Sequence, residues 1–180
     1  MRLRAYLVNL AVALALVILM VPPAVAETPV GGGCTVVTCN VVNSLEAQFP
    51  AQASLGDISP GPAGQESSPL SILIRSNAPW GLKIKCDLAD GKMKEWTGTG
   101  YVTTSPKFLS RSLEWKLDGT GTYTPLSTTD AVLVASQPPT GESGAMVKVR
   151  FRQVISYDDL RPPNGNSYAI SVIYTAVQNY

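Results

Sequence analysis

Between Leu70 and Leu88, Trp80, Leu82, Ile84, Cys86 and Leu88 alternate with Gly81, Lys83, Lys85 and Asp87. A period of two sends successive side chains to opposite faces of an extended strand, one buried and one wet. A helix would scatter the same apolar residues around its circumference. Upstream, Leu70, Ile72 and Ile74 share one face with Ser71 and Arg75 on the other, Leu73 being the exception, and Ser76-Asn77-Ala78-Pro79 separates the two runs. The stretch predicts two β-strands folded as a hairpin.

The same logic extends along the chain. Thr35–Val42 is rich in β-branched residues. Asn43–Phe49 reads as a strand through Leu45, Ala47 and Phe49, with a helix N-cap at Asn43 and Glu46 as its alternative. Ala53–Ile58 allows a short strand, and Ser59-Pro60-Gly61-Pro62-Ala63-Gly64 reads as a loop, because Pro lacks a ladder donor. After a polar connection through Lys92, Lys94 and Trp96, Gly98–Thr104 is expected as an edge strand. Leu109, Leu113, Trp115 and Leu117 share a phase, and Asp118-Gly119-Thr120-Gly121 makes a turn. Ala131–Ala135 is a short apolar strand. Ala145, Val147, Val149 and Phe151 alternate until Val154-Ile155 breaks the phase, as a β-bulge does. Tyr168, Ile170, Val172, Tyr174 and Ala176 line one face of a last strand. About eight strands separated by turn signals predict an all-β chain, a two-sheet antiparallel β-sandwich with a closed barrel as the alternative.

Arg2 and Arg4 precede an uncharged apolar run over 5–21, and Ala24-Val25-Ala26 supplies a small-residue cleavage site. Residues 1–26 are therefore expected to be a signal peptide, and 27–180 one domain whose start, 27–33, is flexible and Gly-rich. With Arg2 and Arg4 removed, 12 basic residues face 13 acidic ones, a formal charge of about −1. Such a chain has no field to recruit nucleic acid or an anionic membrane.

The 180 residues contain no His. That excludes a Ser-His-Asp triad, a Cys-His dyad and His-ligated zinc, and it points to a chain that is not an enzyme and carries no cofactor. Ser-Lys, carboxylate and tyrosine mechanisms stay open, so a small secreted hydrolase is the opposing reading. Asp158, Asp159 and the acidic positions between Asp87 and Asp90 offer hard oxygen atoms to calcium, but they match no calcium-loop pattern, and Asp beside Pro162-Pro163-Asn164-Gly165 is ordinary turn chemistry. No metal site is expected.

Cys34 and Cys39 cannot pair along one extended strand, where five residues span roughly 16 Å and a bridge needs Cα atoms within about 7 Å. In an exported chain Cys86 is then the expected partner of Cys39, leaving Cys34 over.

Three resemblances accompany these residues. Asp158-Asp159-Leu160-Arg161-Pro162-Pro163-Asn164-Gly165-Asn166-Ser167-Tyr168 resembles the approach to a tyrosine corner of immunoglobulin-like sandwiches, which implies that Tyr168 bonds back to the preceding loop; Ile170 stands where antibody domains carry Cys. Trp80-Gly81-Leu82 and Trp115-Lys116-Leu117 resemble the paired motifs of the WxL domain of Gram-positive surface proteins, which implies wall or ligand contact at Trp80, Leu82, Trp115 and Leu117. Two core Trp residues, each followed by a same-face Leu, give the same letters. The chain is also similar to secreted pilin-type subunits, which implies strand addition with Thr35–Val42 as the donor. The expected role is wall association, adhesion or structural assembly at the cell surface. The expected partners are a cell-wall polymer, a surface protein or other copies of the chain.

Overall fold

The computed structural model describes residues 36–163 and 165–178. The expected signal peptide, the flexible start, Thr35 and Cys34 lie outside them. The chain divides after Asn40, and Val41–Tyr180 form the β unit. Positions 36–44 carry no regular secondary structure.

Among the described residues twelve strands form instead of about eight. They are β1 (Leu45–Gln48), β2 (Gly61–Glu66), β3 (Leu70–Ser76), β4 (Trp80–Cys86), β5 (Lys92–Trp96), β6 (Phe108–Ser112), β7 (Glu114–Leu117), β8 (Thr124–Pro125), β9 (Ala131–Gln137), β10 (Ala145–Ile155), β11 (Ser167–Ala169) and β12 (Val172–Gln178). The only other element among the described residues is a 3-10 turn, Ala89–Gly91. All paired strands run antiparallel. A six-stranded sheet has the order β1-β3-β10-β7-β8 with β2 also on β10; β12-β4-β9 form a second sheet and β11-β5-β6 a small third.

The sandwich core lies between the first two sheets. Ile72, Ile74, Val147, Val149, Phe151 and Trp115 come from the first, Trp80, Leu82, Ile84, Cys86 and Leu133 from the second, and all belong to one apolar cluster. The wet face of the first sheet carries the intervening charges: Arg150 pairs with Asp118, Arg152 with Glu114, and Lys116 with Glu66.

The expected hairpin is not one. β3 pairs with β1 and β10, whereas β4 pairs with β12 and β9, so the turn Asn77–Pro79 carries the chain from one sheet to the other. The physical reason is that both strands bury the apolar side of their alternation, and two such sides meet across a core rather than edge to edge. The turn is held by Ser76 Oγ, which donates to Ala78 O at 2.6 Å.

Other expectations shift for equally local reasons. The loop expected over Ser59–Gly64 becomes β2, an edge strand collinear with β3 along β10. Between the two, Ser67 N donates to Phe151 O and Phe151 N donates to Ser67 Oγ. Pro62 is tolerated because β2 has a ladder on one side only. Gly64 sits at φ +69, where an added Cβ would stand 2.7 Å from Gln153 O. This is the irregularity between Gln153 and Ile155, the bulge that the broken phase at Val154 predicts. Ala53–Ile58 and Val36–Val42 are not strands, Lys92–Trp96 is one, and Gly98–Thr104 contributes only the bridge Trp96–Tyr101. Phe108–Leu117 breaks at Leu113 as the chain leaves the third sheet for the first. The C-terminal run breaks at Ile170–Ser171, where Ser171 N donates to Asp87 Oδ1 at 3.0 Å.

Candidate functional site

The residues singled out in the sequence fall into three groups. Trp80, Leu82 and Trp115 are interior, with the two indoles 2% and 8% exposed, and Leu117 is half-buried at the end of β7. Both Trp Nε1 atoms are buried without a hydrogen-bond partner among the described residues. Both rings pack in the core cluster, as two core Trp residues each followed by a same-face Leu would.

The expected Cys39–Cys86 bridge is not formed. Among the described residues both thiols are free, Cys39 exposed and Cys86 buried. Cys86 ends the inward row of β4, where its Sγ donates to Leu88 O at 3.3 Å, and burial pushes its pKa up and keeps it neutral.

The acidic loops are occupied by the protein's own donors. Asp159 accepts from Ser110 N at 2.6 Å and from Ser156 N at 2.7 Å, and Asp87 accepts from Tyr101 OH at 2.9 Å. They tie the third sheet and its loops together. Tyr168 OH donates to Leu160 O at 2.6 Å, the back-bond that the tyrosine-corner resemblance implies.

What the sequence did not point to is a cleft of about 1250 Å³. Leu70 and Phe151 of the first sheet face Val172 and Tyr174 of β12 across it, and Met93 of the third sheet lines it as well. The irregular segment Pro50–Ile58 also lines it. That segment is largely exposed on its outside and tucks Leu55 against the core. Among the described residues its backbone makes no bond to the backbone of either sheet; Gly56 N donates to Ser54 Oγ within the segment itself. At its start Phe49 stacks on Tyr174, ring centroids 5.5 Å apart. Burial pushes the Tyr174 hydroxyl pKa far above its ordinary value, so it stays protonated.

One wall residue is polar and completely buried. Gln153 is 0% exposed; its Nε2 donates to Arg111 O and Val154 O, and its Oε1 has no partner among the described residues. The signal was present in the sequence, since Gln153 is the next residue in the inward phase after Val147, Val149 and Phe151.

The two outer edges of the second sheet differ. β9 meets β4 with two register shifts, the irregularity by which edge strands avoid further pairing. β12 pairs with β4 through seven residues without a shift, contains no charge, Pro or Gly, and has no ladder on its other side among the described residues.

Compared with family models and with curated protein sequences, the chain matches none. Among solved structures it is similar to a chain from a structure described as that of a chaperone-usher pilus, at TM-score 0.39 and 10% identity, over 84% of this chain and 98% of that one. A likeness this distant speaks to neither ligand nor role. No helix among the described residues is long and apolar enough to cross a membrane.

Proposed function

We propose that the chain is an exported, non-enzymatic β-sandwich subunit that assembles with other copies by strand addition. The observation that carries this reading is the edge of β12: free of register shifts, uncharged, without a ladder on its other side among the described residues, and bordering an open cleft. Such an edge is a template for another chain unless something blunts it, and a peptide added there gains main-chain hydrogen bonds while its alternate side chains enter the cleft.

The same molecule carries a matching donor. Val36, Val37, Val41 and Val42 are all strongly exposed and lie in a β-branched stretch without a strand partner among the described residues. That stretch, 36–42, is as long as β12.

Its last residue, Val42, is held at the end of the sandwich away from the cleft. Val42 O accepts from Asn77 Nδ2 in the β3–β4 turn, whereas Leu70 and Val172, at the opposite ends of β3 and the second sheet, line the cleft. Donor and acceptor at opposite ends make a heterologous contact, which builds open chains when its rotation does not close.

Amide hydrogen exchange on the purified chain tests the reading. Protection of β12 should rise with protein concentration while that of β9 stays constant. A monomer with concentration-independent exchange that instead sediments with purified wall fractions would replace assembly by wall association.

A further inference from the structure

Resting on that reading, we infer that segment 50–58 is a strap: in the lone chain it lies in the cleft, and a strand adding to β12 displaces it. Among the described residues β1 and β12 each end their sheet. They lie side by side, joined by the Phe49–Tyr174 stack and by Gln178 Nε2, which donates to Ser44 O at 2.7 Å. The chain leaving β1 passes directly into the cleft that Val172 and Tyr174 line, and segment 50–58 lines that cleft with them. An incoming strand whose side chains enter the cleft meets a segment already there.

The strap is built to come away. The last ladder pair before it is Gln48 with Leu73 and the first after it is Gly61 with Ile155, so both its ends are held by strands of the first sheet and everything between is outside any ladder. Pro50 and Pro60 have no N–H with which to enter one. The segment's one hydrogen bond among the described residues, Gly56 N to Ser54 Oγ, is internal and closes a turn about Leu55 with Gly56 at φ +67. Lifting the strap therefore breaks no hydrogen bond to either sheet, the mark of a segment that opens locally. Leu55 holds it, half-buried against the core cluster with exposed residues on both sides. A strand at β12 gains main-chain hydrogen bonds that the strap lacks, and a valine from 36–42 replaces the apolar contact that Leu55 gives up. Addition is weakened by the fraction of chains in which the strap is closed, so the lone chain restrains its own assembly.

The test titrates a synthetic peptide of residues 35–42, made with Cys39→Ser to keep it from oxidising, into the full chain and into a Leu55→Ser variant. The variant should bind the peptide about ten-fold more tightly, the gain expected when the open state rises from about a tenth of the population to most of it. On the unaltered chain, saturating peptide should speed cleavage after Leu55 by a chymotrypsin-like protease, because displacement carries that side chain into solvent. This second measurement decides the matter if Leu55→Ser folds poorly. Equal or weaker binding to a folded variant, or cleavage that the peptide leaves unchanged or slows, would overturn the strap while leaving strand addition in place. Failure of the peptide to bind either chain would overturn both.

Discussion

Phe49 and Tyr174 lie face to face, ring centroids 5.5 Å apart and planes within 6° of each other. The pair fastens the end of β1 to the inward face of β12, at the point where the chain turns into the segment lining the cleft. The segment beyond it makes no backbone ladder, so this stack and Leu55 are its main attachments.

Phe49→Ala should therefore loosen the cleft's cover more than the fold. Stacked aromatic pairs contribute about 0.5–1.5 kcal/mol beyond the area they bury, and a domain of this size loses a few degrees of Tm for about 1 kcal/mol. Thermal melting should show that small drop, and protease sensitivity within Pro50–Ile58 should rise. Unchanged cleavage there would place the segment's anchorage elsewhere.

Trp80→Ala should cost about 3–5 kcal/mol, the range for a buried aromatic, because the indole is 2% exposed within the cluster shared by both sheets. Denaturant titration measures it. A variant as stable as the parent would mean that the ring is not part of the core.

Thiol labelling should separate the cysteines. Cys39 is exposed and should react with a maleimide in the native protein; Cys86 is buried, its pKa raised first by desolvation, and should react only after unfolding. Mass mapping that found a Cys39–Cys86 peptide in unreduced material would contradict the free thiols and tie the N-terminal segment down.

Stability should fall in acid. The Arg150 guanidinium beside Asp118 and the Asn166 amide beside Glu95 hold both carboxyl pKa values below their ordinary range. A group with a lowered folded pKa contributes its full stabilisation above its unfolded pKa, about 4 for these side chains, and loses it as pH drops through the folded value. Melting temperatures should be flat from neutrality to about pH 5 and decline below about pH 4. Asp118→Asn and Glu95→Gln should flatten that decline.

Strand alternation was legible wherever one face is buried, as in Trp80–Cys86 and Ala145–Phe151, because burial acts on every second residue. It names a face and is silent on edges, so it could not tell a hairpin from a crossing between sheets at Asn77–Pro79. β2 was hidden by composition: Pro62, Gly61 and Gly64 read as loop, although a one-sided edge with a bulge accommodates them. The cleft depends on what stands opposite Leu70 and Phe151, and that follows from the position of β12, which no local pattern specifies. Gln153 was in phase with its apolar neighbours, but its polarity ended the expected inward row one residue early.

Sedimentation velocity on the purified chain, beside a variant with Val36, Val37, Val41 and Val42 replaced by Ser, tests assembly through β12 most directly. These side chains are exposed, so the variant should keep the fold. The unaltered chain should show a sedimentation coefficient that rises with concentration, and the variant should stay monomeric throughout. Monomeric behaviour of both, or identical assembly of both, would contradict the account.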